Sequence, residues 1–183
     1  MFWIVVLLIF LVIIILSFIW RSKRIIRNYY IENSPNNNWS GEVQSIISNS
    51  GWNKKYNLIR TYDKSRADII LNITPRHEMI KTHPPEIVNG EPIYFSYTLY
   101  TSHPKIIHID EDNWKFGVRR SGLSLEKYRE YVINHEIGHA LGYDHVLCRD
   151  KKCSVMYQST RGCPNECGYS VELKDLEGPK IPV

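Results

Sequence analysis

His135, Glu136, His139, Gly142 and His145 follow one another as His-Glu-x-x-His-x-x-Gly-x-x-His. On a helix, residues four apart share a face, so His135 and His139 can offer their imidazole nitrogens to one metal ion. Glu136 stands beside the first of them, where a carboxylate can take a proton from water held at the metal. Gly142 lets the helix stop and the chain swing round, because glycine alone enters the left-handed region without steric cost. His145 then returns as a third ligand. Three neutral imidazoles leave the fourth tetrahedral position open, which is the arrangement of a catalytic zinc ion rather than a structural one. The competing readings are a helix that happens to carry a few imidazoles and a degenerate site without turnover. The first needs five coincident accidents, and against the second no ligand is missing and Glu136 is present.

This run resembles the metzincin signature. Ser154-Val155-Met156-Tyr157-Gln158, further along the chain, looks like the Met-turn that passes beneath the zinc in that clan. The wider stretch, from Tyr128-Arg129-Glu130-Tyr131-Val132-Ile133-Asn134 to Gly162-Cys163-Pro164-Asn165, is similar to a family of secreted bacterial zincin-like domains of unknown function. Weaker similarity reaches back to Gly51-Trp52 and Ala67-Asp68-Ile69-Ile70, so that it covers most of residues 40–168. The resemblance implies an α+β fold in which a small mixed sheet carries an active-site helix and the cleft runs along one edge. It also implies hydrolysis of peptide bonds in a peptide or protein substrate, with Met156 as an apolar floor under the ligands. Some metzincins add a tyrosine ligand two residues after the methionine. Here that position is Gln158, and Tyr157 is not expected to bind metal.

Residues 1–20 are apolar throughout except for Ser17. As a helix they span about 30 Å, the thickness of a bilayer's hydrocarbon core. A cleaved signal peptide would want a basic start, a shorter apolar stretch and small residues at its end. The run ends instead on Phe18-Ile19-Trp20. The expected organisation is therefore a transmembrane anchor over 1–20, a basic juxtamembrane segment and linker over 21–39, and a zincin-like catalytic domain over 40–183.

Two cues to topology disagree. Arg21, Lys23, Arg24 and Arg27 follow the anchor, and the positive-inside rule would turn the domain toward the cytoplasm. Cys148, Cys153, Cys163 and Cys167 form an even cluster around Met156, which suggests two disulfides and an oxidising compartment. The cysteines carry more weight, since the similar bacterial domains are exported. The expectation is a single-pass membrane protein with an extracytoplasmic or virion-exposed domain, a cytoplasmic-facing one staying open. Four cysteines allow three pairings; the resemblance favours Cys148 with Cys163 and Cys153 with Cys167. A structural zinc on the same cysteines is the alternative. The net charge of +4 is modest and shows no basic stripe interleaved with aromatics, so nucleic acid is not an expected partner.

Elements able to position these residues can be read along the chain. Ser40 caps a short helix ending near Gly51. Strands are expected over 56–62 and 67–74, a loop over 76–92, and a hairpin of 93–100 with 105–110. Ser124 opens the long helix that carries the histidines, with Glu126 in its first turn. His77, His83, His103 and His108 lack ligand spacing and read as surface or loop residues. The expected function is a membrane-anchored zinc peptidase in which Glu136 activates water at a single zinc ion. The rival is a catalytically silent zinc-binding interaction protein, for instance a virion membrane component.

Overall fold

Apolar residues recur at every second position in three stretches: Tyr29 and Ile31, Ile69 and Leu71, Ile107 and Ile109. The computed structural model describes residue 6 and residues 25–32, 39–147, 152–158 and 168–170, and in it all three stretches are strands. β1 (Arg27–Ile31), β3 (Ile69–Thr74) and β7 (Lys105–Asp110) form the parallel centre of a five-stranded sheet. β2 (Leu58–Arg60) flanks β1 in parallel and β6 (Tyr97–Leu99) flanks β7 antiparallel, giving the order β2-β1-β3-β7-β6. The register pairs Tyr29 with Ile69, and Leu71 with Ile107. Residues paired in this way share a face, so the six apolar side chains form one buried surface.

Against that surface pack α1 (Ser40–Asn49) through Val43 and Ile47, α2 (Gly51–Tyr56) through Trp52, α4 (Glu111–Phe116) through Trp114, and α5 (Leu125–Ala140). α5 is the central helix. Its Ser124 cap accepts a hydrogen bond from the Lys127 amide at 3.3 Å, and Tyr128, Tyr131, Val132 and Ile133 are all buried. Smaller pieces complete the described chain: α3 (Arg76–Met79), a hairpin of β4 (Glu86–Val88) and β5 (Glu91–Ile93), and a parallel pair of β8 (Lys152–Ser154) with β9 (Gly168–Ser170). The architecture is α+β with a small mixed sheet.

Three expectations need correction. The segment 21–39 is not linker throughout, because β1 lies within it and has a parallel neighbour on each side. Tyr29 and Ile31 are 4% and 2% exposed, so the folded domain starts at Arg27 or earlier, not at residue 40. The segment 76–92 is not plain loop: Asn89 and Gly90 have φ of 54° and 80°, the pair of left-handed residues that closes a two-residue hairpin. The strand over 56–62 shrinks to Leu58–Arg60, since Tyr56 finishes α2 and Asn57 turns the chain at φ 48°. The expected anchor over 1–20 lies outside the described residues apart from Val6. Among the described residues no helix is long and apolar enough to cross a membrane.

One buried ion pair ties the 76–94 segment to the sheet. Asp110, 1% exposed, accepts from Arg76 Nε and Nη2 at 3.0 and 2.6 Å and caps α4 through the Asn113 amide at 2.7 Å. The Arg76 guanidinium lies 4.1 Å from the Tyr94 ring centroid. Removing Arg76 would strand the buried Asp110 carboxylate, at a cost of about 3–5 kcal/mol, whereas Arg76 without Asp110 is part-exposed and keeps Asp112 at 3.1 Å.

The position of β1 gives the first prediction. A chain beginning at residue 40 loses an interior strand and is expected to be insoluble or to lack a cooperative thermal transition. A chain beginning at residue 25 should fold. Comparable circular-dichroism melts for the two would show that β1 is dispensable.

Candidate metal centre

From Asn134 onward the buried residues of α5 include His135, Glu136, Ile137, Gly138 and Ala140. The helix stops in a Schellman arrangement: the Tyr143 amide donates to the Gly138 carbonyl and the Gly142 amide to the His139 carbonyl, both at 2.9 Å. Gly142 holds the φ of +87° that this requires. The chain then turns back and brings His145 over the helix.

The three histidines converge. Nε2 of His135 lies 3.1 Å from Nε2 of His139, and Nε2 of His145 lies 3.2 Å from each. The opposite ring nitrogens of two of them are anchored on backbone carbonyls. His135 Nδ1 donates to Val155 O at 2.7 Å, and His139 Nδ1 donates to Tyr143 O at 2.8 Å. A neutral imidazole that donates through Nδ1 presents a bare lone pair at Nε2. Bare nitrogens this close repel one another unless positive charge lies among them. A triangle with edges of 3.1–3.2 Å places each corner about 1.8 Å from its centre, just under the Zn–N length of about 2.0–2.1 Å, so the three nitrogens are spaced to hold one such ion. Among the described residues this is the group whose ligand atoms could hold a metal ion.

The electrostatics agree. Burial, followed by the neighbouring His139 and His145 rings, holds His135 well below the ordinary histidine range against its Val155 hydrogen bond. His139 is lowered to about 4, first by burial and then by His145. Both rings therefore stay neutral, as ligands must. Glu136, 3% exposed, is pushed up to about 8 by burial, which outweighs a hydrogen bond from Thr98. Thr98 Oγ1 lies 2.7 Å from Glu136 Oε2. Its place follows from the register: Thr98 pairs with Ile107 and so shares the sheet face that meets α5. A cleft of about 520 Å³ opens over these groups, walled by Ser96, Tyr97 and Thr98 of the β6 segment and by Pro84 and Glu86.

Met156 lies beneath. It is fully buried, and its sulfur sits so near the helix that a methyl group on Gly138 would come within 2.2 Å of it. Trp52 closes the other side, 3.0 Å from the same point, and its indole nitrogen donates to Asn134 O at 2.8 Å. The Trp52 ring meets Tyr143 at 4.8 Å between centroids, while the hydroxyls of Tyr143 and Tyr56 share a hydrogen bond at 2.7 Å. Tyr143 thus fixes by its ring the carbonyl that orients His139. The turn around Met156 does the same for His135 through Val155, and it is held in turn by the Tyr131 hydroxyl, which donates to Tyr157 O at 2.8 Å.

The remaining sequence candidates fall elsewhere. Gln158 lines the cleft. Cys153 is buried and disulfide-bonded, while Cys148, Cys163 and Cys167 lie outside the described residues. His77 and His103 are exposed. His83 and His108 stack on Tyr97 at 3.6 and 4.8 Å, and His108 is half-buried in β7 rather than at the surface. Gly138, Thr98 and the two orienting carbonyls were not singled out from sequence. Only Gly138 left a signal there, as a glycine inside a helix.

The sequence pattern of the family described as "Protein of unknown function (DUF3152)" matches residues 34–178. The chain belongs to that family. No curated protein matches it. Among solved structures, the DUF3152 chain is similar to archaemetzincin from Methanopyrus kandleri, with 16% identity over 80% of this chain and 91% of that one, and a TM-score of 0.39. At that level the likeness adds nothing to what the site itself shows.

The packing under α5 and the burial of Glu136 each generate a prediction. Gly138→Ala should cost about 1–3 kcal/mol, because the new methyl would meet the buried Met156 sulfur at 2.2 Å and the Trp52 ring at 3.0 Å, so the methionine must take another rotamer inside a packed interior. Unchanged thermal stability would mean that the turn around Met156 repacks without strain. For Glu136, the folded metal-free chain keeps a proton up to about pH 8, whereas the unfolded chain releases it near 4.5. The folded state then binds more protons, so this carboxyl costs stability as pH rises from 4.5 to 8. His139 acts in the opposite sense, its contribution falling as pH drops from 6.5 toward 4. Without metal, Glu136→Gln should match the parent near pH 4.5 and melt at a higher temperature at pH 8. A constant difference between the two melts across that range would contradict the burial of the charge.

Proposed function

We propose that this DUF3152 chain is a zinc-dependent peptidase of metzincin-like architecture, anchored to a membrane by residues 1–20. The observation that carries the reading is the Nε2 triangle of His135, His139 and His145, with the Glu136 carboxylate beside it at the floor of one cleft. His135, His139 and His145 would hold the ion. Zinc, when bound, acidifies water and polarises a carbonyl oxygen.

The protein's own groups do the rest. Glu136, held through Oε2 by the Thr98 hydroxyl, lines the cleft and can serve there as a general base. Burial alone keeps that carboxyl protonated to about pH 8; beside a cation held by the three histidines it would ionise more readily, take a proton from water and return it to the leaving amine. β6 is the last strand of the sheet and walls the cleft, so an extended peptide can add alongside it with backbone hydrogen bonds. Met156 and the carbonyls of Val155 and Tyr143 keep the rings in register without touching substrate. The buried, disulfide-bonded Cys153 supports an oxidising compartment and hence an extracytoplasmic or virion-exposed domain.

The test uses the purified full chain. It should hold one zinc per chain, and His135→Ala, His139→Ala or His145→Ala should each abolish tight binding. Glu136→Gln should keep the zinc and lose about 10²–10⁴-fold in peptide hydrolysis. Undiminished function in Glu136→Gln would favour the silent interaction protein. Four alkylatable thiols in the unreduced protein would overturn the oxidising compartment.

A further inference from the structure

A second cavity of about 650 Å³ adjoins the cleft and shares with it Tyr100 and His139. Its wall includes Arg27 of β1, Ile69 of β3, Lys105 of β7 and Gly142 after α5. These mark one end of the molecule. The register sets Tyr29 level with Ile69 and Ile69 level with Lys105, so the three parallel strands begin there, and α5 finishes there. The opposite end carries Lys64, paired with Glu32 after β1, and Lys127 in the first turn of α5.

The end that holds the second cavity is also where the chain enters the domain. Residues 21–26 separate Trp20 from Arg27. Fully extended, those residues reach about 20 Å at 3.3–3.6 Å each. An anchored domain therefore cannot stand far from its bilayer, and the part held nearest is the start of β1.

The surface there suits such a neighbour. Ile25, Ile26 and Tyr100 are 51%, 53% and 46% exposed. The cavity wall beside Tyr100 carries Arg27, which follows Ile26 in the chain, and Lys105, whose ammonium donates to the Tyr100 carbonyl; the one carboxylate in that wall, Asp68, accepts from the Asn28 amide at 2.7 Å. Exposed isoleucines beside cations are what an anionic lipid surface binds, apolar groups entering the head-group layer and the cations meeting phosphate.

We infer that this face rests on an anionic lipid surface of the membrane that holds the anchor. Because Tyr100 and His139 border both cavities, the cleft then opens within reach of the bilayer, and its substrates are the membrane-proximal stretches of other membrane-bound chains. The substrate class rests on the peptidase reading, and the docking of the face rests only on the membrane-anchor part of the proposed function.

The experiment reconstitutes the full chain in phosphatidylcholine vesicles with or without phosphatidylserine and reads amine footprinting by mass spectrometry. Lys105 should lose reactivity severalfold with phosphatidylserine, while Lys64 and Lys127 keep theirs. A flexible insertion between Trp20 and Ile25 should restore Lys105 reactivity. In the same vesicles, a fluorogenic peptide tethered to lipid by a short spacer should be cut at least tenfold faster than one on a spacer much longer than the reach of residues 21–26. The insertion should erase that difference and leave cleavage of free peptide unchanged. Lys105 equally reactive in both vesicles overturns the docking. Cleavage indifferent to spacer length, with free peptide cut normally, overturns the membrane-proximal substrate while leaving the peptidase reading intact. If no peptide is cut yet Lys105 is protected, the docking stands and the peptidase reading has failed on its own.

Discussion

Three imidazole nitrogens held 3.1–3.2 Å apart are an unfavourable arrangement for a protein to maintain on its own. The lone pairs of His135 and His139 repel, and protonating both rings would bury like charges side by side. The surroundings nonetheless enforce the cluster. Two backbone carbonyls, one from Tyr143 and one from Val155, take the far nitrogens, and burial suppresses protonation. Such convergence persists only where the fold over-determines it, and it becomes favourable once a cation shares the lone pairs. Folding stability and metal affinity are linked in this way.

The over-determination has a physical source in the contact between Gly138 and Met156. A side chain at 138 would meet the Met156 sulfur and the Trp52 ring, so the methionine would have to leave its place beneath the helix, next to the Val155 carbonyl that holds His135. Trp52 fills the other flank and binds the Asn134 carbonyl, one residue before the first histidine. A helix crossed this closely by a turn on one side and an indole on the other cannot shift or rotate. The α5 histidines therefore inherit their geometry from packing against a close-packed interior, in which small displacements are resisted.

The parts of this arrangement that sequence revealed are those set by local rules. The His-Glu-x-x-His spacing, the stop at Gly142, the Ser124 cap and the hairpin of β6 with β7 each depend on residues close in the chain. β1 was missed because Arg27-Asn28-Tyr29-Tyr30-Ile31 follows a basic cluster and is followed by polar residues. Only its pairing with Leu58 and Ile69, far along the chain, marks it as an interior strand. Thr98 was invisible for the same reason: its role depends on facing Ile107 across a ladder, which fixes the side of the sheet it points to. The β4–β5 hairpin and α4 did leave local signals, in Asn89-Gly90 and in the Asp110 cap, and these could have been read.

Placing the site at the end of α5 has a further electrostatic consequence. Three neutral ligands give a divalent ion no compensating charge. The carbonyl end of a helix carries roughly half a negative charge, and His139 stands in the last turn of α5. Asp144 and Glu86 line the same cleft, and Glu136 supplies a carboxylate when ionised. Without the ion, burial keeps Glu136 protonated up to about pH 8. Positive charge nearby would favour its ionised form, so an ion that relieved the histidines would also favour the carboxylate form of Glu136. Thr98 then matters in both states, as a donor can hold one carboxylate oxygen whether or not the other carries a proton. The edge strand that would align a peptide is thereby bonded directly to the group that would deprotonate water. Displacing β6 would disturb both at once.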